Sequence, residues 1–310
     1  MQYKFREIKM KELAIILLNY NNVNDTLECV KSIEDYYERQ CTIIVVDNKS
    51  TDNSKEKLLE NEHRYKLILN DVNEGFAQGN NIGIKWAVEE GYKYIMLLNN
   101  DTLITKNSIE NMIDEIEKDK SIGIISPRIM YYPEKEKIWF DGGKIDWFKF
   151  IAVHYNMGEN IKNSPKNNIE LVDFITGCCM IIRRDVIKSV GYLPEEYFMY
   201  YEDVDYCVKV REAGYKLANL KESIIYHKVS SSSGGEDSPF SIKWGTRNRI
   251  VFMNKYKHKV SLIKYYSSIL FFYSTRALKL ANYKIKGDKS RFNAIIEGIK
   301  AGKEYIKDDR

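Results

Sequence analysis

Short apolar runs alternate with amphipathic stretches along the first 126 residues of the chain. The apolar runs predict strands, because strands buried on both faces of a sheet are apolar throughout. The predicted strands are residues 13–18, 42–46, 67–69, 94–98 and 122–126, the last closed by Pro127. Helices are predicted over residues 54–60 and 76–90. Two further helices are predicted from apolar residues at helical spacing, one with Leu27, Val30 and Ile33 and the other with Ile109, Ile113 and Ile116. This alternation predicts an α/β fold with a mostly parallel sheet and right-handed crossovers.

The second half of the chain has a less regular pattern. Residues 131–168 are rich in aromatic side chains and predict loops with a hairpin. Further predicted elements are a strand over 174–182, a helix over 203–212 that stops at Gly214, and a flexible Ser/Gly stretch over 230–235. From Trp244 onward the chain is helical in pattern, basic and aromatic. We therefore expect a C-terminal helical extension.

Composition and charge narrow the class of protein. The chain has 310 residues, enough for one large α/β domain and an appendage. Hydrophobic residues make up 44% and charged residues 30%, which is a globular balance. A formal net charge of +4 gives no nucleic-acid signature. The 5 cysteines contain no C-x-x-C pair, and no signal peptide or spanning segment is visible, so a cytoplasmic protein is predicted.

Polar side chains follow the first, second and fourth predicted strands at the point where each strand ends. They are Asn19, Tyr20 and Asn21, then Asp47, Asn48 and Ser50, then Asn99, Asn100 and Asp101. One such cluster would be ordinary turn chemistry, in which Asn and Asp are favoured. Because the carboxyl ends of parallel strands form the ligand-binding edge of such sheets, the three clusters together favour a nucleotide site.

The segment 73–83 carries Asn73, Gly75, Phe76 and Asn80 but matches neither a dinucleotide fingerprint nor a P-loop. Its glycines recur every fourth residue, which fits close packing of a helix on the sheet and close approach of a ligand equally well. Asn80 and its neighbour Asn81 are harder to explain by packing. They could reach a ligand near the start of the helix, where free N–H groups favour an anion.

Acidic residues and a histidine stand out in the second half. Glu202, Asp203 and Asp205 begin a predicted helix directly after the aromatic run 198–201. A favourable interaction with the helix dipole explains one or two acids. A carboxyl beside an apolar wall can also have a raised proton affinity and act as a general base. His227 is more simply structural, but Asp101 supplies only one charged metal ligand, and His227 is a candidate for the second.

Taken in order, these segments resemble glycosyltransferase family 2, the inverting GT-A group, and within it the rhamnosyltransferase-like branch of polysaccharide biosynthesis. The resemblance runs from about Leu13 to about Lys255. It is carried by residues 16–21, 45–48, 73–83, 97–101, 173–178, 197–205 and 246–249. The resemblance implies a GT-A fold, which is Rossmann-like with a central sheet flanked by helices.

The resemblance also implies roles for particular residues. Asp47 would contact the nucleotide base. Asp101 would be the main ligand of Mg²⁺ or Mn²⁺, because Asn99 replaces the first acid of the family's D-x-D motif, and His227 would complete the metal site. Glu202 and Asp203 would supply the catalytic base, with Asp203 preferred. The donor-binding set is Asn19, Tyr20, Asn21, Asp47, Asn48, Ser50, Asn73, Gly75, Phe76, Asn80, Asn99, Asn100, Asp101, Gly177 and Arg247.

The implied activity is transfer of a sugar, with inversion, from a nucleotide-diphosphate sugar to a hydroxyl of a glycan or lipid-linked acceptor. The candidate donors are dTDP-rhamnose and a UDP-sugar. The implied domains are 1–240, with a donor half 1–127 and an acceptor half 128–240, and a helical region 241–310.

A sugar-nucleotidyltransferase would carry a Gly-rich basic signature near its first strand, and none is present. A non-catalytic nucleotide-sugar-binding protein would not need Asp101, Asp203 and His227.

The C-terminal region combines an apolar block, residues 269–273, with flanking lysines and arginines. Such a helix can lie in the interface of an anionic membrane, and it can equally be a helix packed on the catalytic domain with solvated lysines. The block is too short to span a bilayer. Because lipid-linked acceptors are common in the family resembled, we expect peripheral attachment on the cytoplasmic face. The oligomeric state is left open.

Overall fold

The computed structural model describes residues 10–164, 168–229 and 237–308, so the predicted Ser/Gly stretch lies outside the described residues. The elements are β1 (Leu13–Asn19), α1 (Val23–Tyr37), β2 (Thr42–Asp47), α2 (Ser54–Glu60), β3 (Lys66–Leu69), α3 (Gly75–Glu89), β4 (Tyr94–Asn99), β5 (Thr102–Ile104), α4 (Ser108–Lys118), β6 (Ile122–Tyr131), β7 (Ile138–Phe140), β8 (Gly143–Asp146), β9 (Ile151–His154), β10 (Ile169–Val172), β11 (Cys179–Arg183), α5 (Arg184–Val190), α6 (Glu202–Glu212), β12 (Lys216–His227), α7 (Pro239–Lys255), α8 (Leu262–Ile285) and α9 (Lys289–Asp308).

The central sheet has the strand order β3-β2-β1-β4-β11-β6-β12-β10. Strands β1 to β4 are parallel, as the alternation of strands and helices predicts. Strand β11 is antiparallel to both of its neighbours, β4 and β6, and so turns the second half into a mixed sheet. The inner strands β1, β4 and β11 are buried almost throughout, because helices or loops cover both faces.

The glycines of α3 allow the helix to lie directly on the sheet. A Cβ at Gly79 would come within 2.7 Å of the Leu18 side chain, and one at Gly83 within 2.8 Å of Ile16. Both glycines therefore serve close packing, which decides between the two explanations of their spacing. Gly75 differs, because it has a positive φ of 76° and a Cβ there would lie 2.2 Å from the Phe198 carbonyl oxygen. The start of α3 thus presses against the segment before α6.

Two predicted strand boundaries are wrong. Strand β6 does not close at Pro127 but continues to Tyr131, and its pairing with β12 shifts register between Leu220 and Ile224, just beyond the residue that faces Pro127. A proline lacks the N–H of a regular ladder, so an irregularity beside it is expected. The strand predicted over 174–182 begins only at Cys179. The predicted hairpin is present as β8 and β9.

The three C-terminal helices pack onto the sheet domain and onto one another. Helix α9 approaches α7 closely, since a Cβ at Gly298 would lie 2.5 Å from the Lys243 carbonyl oxygen and one at Gly302 would lie 3.0 Å from that of Arg247. Helix α8 is much more exposed along its length. Within the described ranges, no helix combines the length and the apolar character that a bilayer crossing requires.

Candidate active site

The carboxyl ends of β1 and β2 are joined by a buried hydrogen-bond cluster. Asn19 Nδ2 donates to Asp47 Oδ1 at 2.8 Å and to Ser50 Oγ at 3.1 Å. Asp47 also accepts from the Ser50 backbone N–H and hydroxyl. Asn21 belongs to the same edge, because its N–H donates to Ser50 Oγ at 3.0 Å. The structure therefore brings these four predicted residues together and gives Asp47 a fixed orientation.

The cluster extends to the end of β4 through Thr26, on helix α1. Thr26 Oγ1 donates to Asn19 Oδ1 at 2.7 Å and accepts from Asn100 Nδ2 at 2.8 Å. Three strand ends are thus linked by side chains that are nearly fully buried. Thr26 was missed by the sequence analysis, because a threonine inside an amphipathic helix carries no signal of a site.

Asn48 fixes the loop that precedes α3. Its Nδ2 donates to Asn73 Oδ1 at 2.9 Å and to the Gly75 carbonyl at 3.0 Å. Its Oδ1 accepts from Asn70 Nδ2 and from the Glu74 N–H. All of the amide's strong contacts therefore go to this loop, which makes Asn48 a positioning residue for Asn73, Gly75 and Phe76.

Asp101 and His227 meet at the end of the sheet. Strand β5 pairs with β12 so that Thr102 lies opposite His227, and the Lys228 N–H donates to the Asp101 carbonyl at 3.0 Å. This register places His227 Nε2 3.1 Å from Asp101 Oδ1. Both side chains are nearly buried. Across the described residues, no His, Cys, Asp and Glu side chains form a group of three that could hold a metal.

His227 is packed by an aromatic ring on one side. The Trp139 ring lies edge-on with its centroid 4.4 Å from that of His227. His227 Nδ1 is buried without a hydrogen-bond partner in the described structure. Trp139 was not predicted as a site residue, since it falls in a region whose pattern indicated only loops.

Asp203 lies against Gly177, in the loop before β11. The Gly177 N–H donates to Asp203 Oδ2 at 3.0 Å, and the Val204 N–H donates to Oδ1 at 2.8 Å. A Cβ at Gly177 would lie 3.1 Å from the Phe76 ring and 3.6 Å from Asp203 Cβ. Gly177 therefore fits between the start of α3 and the start of α6, and it joins predicted donor-binding and catalytic residues.

Glu202, next to Asp203, has a different environment. It is 5% exposed and its Oε2 has no hydrogen-bond partner in the described structure. Burial, together with the charge of Asp203, raises the pKa of Glu202 well above its usual range. Burial also raises the pKa of Asp203, but its two N–H donors oppose that rise. When two adjacent carboxyls differ in this way, the better hydrogen-bonded one carries the negative charge.

The third acid of this segment, Asp205, is a structural anchor. It accepts hydrogen bonds from the hydroxyls of Tyr197 and Tyr256 at 2.9 and 2.8 Å, and it lies 2.7 Å from Lys255 Nζ. These contacts bind α6 to the end of α7. The helix-dipole explanation and a packing role together account for Asp205 without a catalytic function.

Other predicted residues contact protein groups. Asn80 donates to the Phe76 carbonyl within its own helix, and Asn81 donates to the Leu193 carbonyl. Arg247 Nη1 donates to the Glu196 carbonyl and to Asn248 Oδ1, and its guanidinium stacks on Tyr305 at 4.5 Å. Tyr20 is 37% exposed at the sheet edge formed by the carboxyl ends of β1, β2 and β4, which is called the donor edge below. The ligand roles predicted for Asn80 and Arg247 stay predictions.

Solved structures share this fold. The GalNAc-T7 structure with UDP, GalNAc and Mn²⁺ aligns with a TM-score of 0.61 at 18% identity, over 76% of this chain and 47% of that chain. The mannosyltransferase PcManGT of Pyrobaculum calidifontis, with GDP-Man and Mn²⁺, aligns with a TM-score of 0.56 at 12% identity, over 100% and 95%. These likenesses confirm the predicted GT-A fold.

Two related sequences are matched over most of their own length. The low-salt glycan biosynthesis hexosyltransferase Agl10 of Haloferax volcanii is 26% identical over 84% of this chain and 82% of its own. The dTDP-rhamnosyl transferase RfbF of Shigella flexneri is 22% identical over 92% and 94%. A poly-beta-1,6-N-acetyl-D-glucosamine synthase of Staphylococcus epidermidis is 29% identical over 73% of this chain but only 52% of its own.

The model of the family described as glycosyl transferase family 2 matches residues 14–191, which is more than half of the chain. This stretch contains β1 to β4, the donor edge, Asp101 and Gly177. The resemblance seen in the sequence is therefore confirmed, and the predicted enzyme class, a glycosyltransferase, is confirmed with it. This chain belongs to glycosyltransferase family 2.

Proposed function

We propose that this glycosyltransferase moves a sugar, with inversion, from a nucleotide-diphosphate sugar to a hydroxyl of a glycan or lipid-linked acceptor. One observation carries the proposal. The Asn99 N–H donates to the Cys178 carbonyl at 2.8 Å, and the adjacent Gly177 N–H holds Asp203. A short chain of backbone contacts therefore joins the strand end that bears Asp101 to the candidate base.

The base in this proposal is Asp203. A hydroxyl becomes a good nucleophile only when a base removes its proton during attack. Asp203 is oriented by two N–H donors and is only half-buried, whereas Glu202 is buried and held neutral. Asp203 would take the proton on the side of the sugar away from the diphosphate, which gives inversion.

A divalent metal fits the pair formed by Asp101 and His227. Asp101 Oδ1 and His227 Nε2 lie 3.1 Å apart, and a carboxylate oxygen and an imidazole nitrogen are both groups that bind divalent metals, so these two residues would hold the ion. Mg²⁺ commonly takes few protein ligands and completes its shell with substrate phosphates. A bound Mg²⁺ or Mn²⁺ would neutralise charge on the diphosphate leaving group.

The donor edge supports a nucleotide. Asp47 presents a fixed carboxylate at the carboxyl end of β2, next to the switch in strand order between β1 and β4, and sheets of this kind bind nucleotides beyond the carboxyl ends of their strands. The end-to-end match to a dTDP-rhamnosyl transferase favours dTDP-rhamnose as the donor, and the UDP-bound structural relative makes a UDP-sugar the alternative. Residues 1–127 would form the donor half and residues 128–240 the acceptor half.

Isothermal titration calorimetry with UDP-, dTDP- and GDP-sugars tests the proposal, in Mn²⁺, in Mg²⁺ and in chelator. We expect one nucleotide class to bind with metal and to be hydrolysed slowly in the absence of acceptor. Binding without any hydrolysis or transfer would instead indicate a non-catalytic nucleotide-sugar-binding protein. Failure of every nucleotide sugar to bind in either metal would contradict the proposal.

We also propose peripheral attachment to an anionic membrane through α8. Helix α8 contains Lys264, Arg276, Lys279 and Lys284 but no acidic residue. Its exposed apolar side chains are Leu262, Ile263, Tyr266, Leu270, Leu278 and Ile285. At 3.6 residues per turn they cover a sector of roughly 160°. An apolar face of this kind with cations and no acid fits the interface of an anionic bilayer.

A further inference from the structure

A separate cavity of about 220 Å³ lies near the start of α6, and no residue of the proposed donor edge lines it. Helices α7, α8 and α9 and strand β9 all contribute to its wall. Tyr201, which directly precedes Glu202, also lines it. The cavity is several times the roughly 30 Å³ share of one water molecule, so a small polar group fits inside.

The cations of this cavity are Arg249 of α7 and Arg276 and Lys279 of α8. The guanidinium carbons of Arg249 and Arg276 lie 5.1 and 4.5 Å from the centroid of the same ring, that of Phe272. The shared ring holds both guanidiniums against one wall. Neither arginine forms an ion pair within 4.0 Å of a carboxylate belonging to the described residues.

Arg249 has unused hydrogen-bond donors. It is 6% exposed, and its Nε and Nη2 atoms are buried without a partner in the described structure. A buried donor without an acceptor is costly, and a buried guanidinium without one more so. Arg247, two residues earlier, shows the contrast, because it donates to the Glu196 carbonyl and to Asn248.

The charge balance of the cavity favours an anion. Burial and the charge of Arg249 lower the pKa of Arg276 to about 10. Asp237 is the acidic residue in the described wall, and Asp146 attracts Arg249 without a contact. An anion between the two arginines would satisfy the free donors and relieve the repulsion between the guanidiniums.

We propose that this cavity binds a phosphate or diphosphate group through the guanidiniums of Arg249 and Arg276. A planar guanidinium matches the spacing of phosphate oxygens with two parallel hydrogen bonds, and a pair of them suits a doubly charged group. Because Tyr201 joins the cavity wall to the candidate base, the group belongs to the acceptor, as in a sugar linked to a lipid phosphate. This assignment to the acceptor rests on the proposed function.

Calorimetric titration of inorganic phosphate and pyrophosphate into the full chain, in chelator and at constant ionic strength, tests the site. We expect saturable binding by the wild type and at least about tenfold weaker binding by Arg276→Gln. Lys284→Gln is the matched control, because it removes the same charge from the same helix beyond the cavity. Arg249→Lys keeps the positive charge but loses the planar guanidinium with its paired donors, so this variant should also bind phosphate weakly. Equal affinity in Arg276→Gln and Lys284→Gln, or no binding by the wild type, overturns the proposal.

Two further measurements distinguish an acceptor phosphate from free phosphate, and they test the cavity independently of the proposed function. Binding of the nucleotide-sugar donor with metal should be unchanged in Arg276→Gln, since the cavity is not part of the donor edge. In a transfer assay, Arg276→Gln should raise the acceptor KM and leave the donor KM unaltered. An unchanged acceptor KM would overturn the assignment to the acceptor and leave a free-phosphate site. If phosphate binds and no nucleotide-sugar donor does, the proposed function is contradicted and the phosphate site still stands.

Discussion

Two regions of this enzyme bury their polar groups in opposite ways: the proposed donor edge at the ends of β1, β2 and β4, and the proposed acceptor side, which is formed by the start of α6 and the neighbouring cavity. At the donor edge, Asn19, Asp47 and Asn100 bind one another directly or through Thr26, and their hydrogen bonds stay within the protein. On the acceptor side, Glu202 and Arg249 bury polar atoms that have no partner in the described structure. The hydrogen bonds of Asn19, Asp47 and Asn100 are therefore made within the protein, whereas Glu202 and Arg249 keep hydrogen-bonding capacity for a ligand.

This difference indicates how each substrate is recognised. A network that is already satisfied keeps its shape, so a donor bound as we propose would meet a preorganised surface with little reordering on binding. Unsatisfied groups destabilise the free protein, and a ligand that pairs with them recovers that free energy. We therefore expect changes at the donor edge to alter turnover or folding, and changes on the acceptor side to alter proton transfer and acceptor binding.

The largest effect is expected at the donor edge, from Asp101→Ala. Asp101 is the acid of the Asp101–His227 pair, and a catalytic metal supplies several kcal/mol of stabilisation to a departing diphosphate. Transfer should fall by at least about 10³-fold, and chelator should have the same effect on the wild type. Asp71→Ala, at an exposed aspartate of the same half, is the control. Full activity of Asp101→Ala, or of the wild type in chelator, would remove the metal from the proposal.

On the acceptor side, Asp203→Asn should lower kcat by about 10²–10⁴-fold, the usual contribution of a general base. The dissociation constant for the donor should not change, because the amide keeps the shape of the side chain. Glu202→Gln should keep most of the turnover, since Glu202 is already neutral by virtue of its raised pKa. If Asp203→Asn is active and Glu202→Gln is inactive, Glu202 and not Asp203 is the base.

The pH dependence of the wild type sharpens the same assignment. Asp203 acts as a base only after losing its proton, and burial raises its pKa above the ordinary value of 3.8. The rate kcat/KM should therefore rise with pH through a midpoint above 3.8 and level off at higher pH. A rate that is flat down to pH values below that ordinary pKa would show that Asp203 does not have to lose its proton before the reaction.

A smaller effect, on stability rather than turnover, is expected at Asn48. Asn48→Ala removes hydrogen bonds to Asn73, Gly75, Asn70 and Glu74 and leaves several of these groups unpaired. The free energy of unfolding should fall by about 2 kcal/mol, measured by urea titration. Asn53→Ala is the matched control, because Asn53 is exposed and makes no capping bond through its side chain. Equal losses in the two variants would show that Asn48 does not hold the loop.

The same contrast explains what could be predicted from the sequence. The donor half follows a regular alternation, and its polar residues stand directly at strand ends, so the positions of Asn19, Asp47 and Asp101 could be read from the pattern. The end of strand β6 could not be predicted, because Pro127 indicates a strand end, whereas the ladder continues past it with a shift of register.

The acceptor side depends on contacts between distant parts of the chain. Arg249 and Arg276 lie on different helices, and the fold brings both guanidiniums to the ring of Phe272 and to one cavity. Nothing in the local sequence distinguishes Arg249 from Arg247, although Arg249 has buried donors without a partner and Arg247 donates to two protein oxygens. Only the tertiary arrangement shows which arginine is left for a ligand.

The smallest effect is expected for membrane attachment through α8. Truncation before α8 would be a poor test, since α9 packs tightly on α7 and would be lost as well. Lys284→Gln is better, because Lys284 is exposed and one cation near an anionic surface contributes about 1 kcal/mol, or about a fivefold change in partitioning. Leu270→Gln should weaken binding to phosphatidylserine vesicles at least as much, because Leu270 is 70% exposed on the apolar face. Lys55→Gln, in the donor half, should leave co-sedimentation unchanged. If the wild type stays in the supernatant at low salt, α8 does not attach the enzyme to a membrane, and the acceptor reaches the cavity from solution.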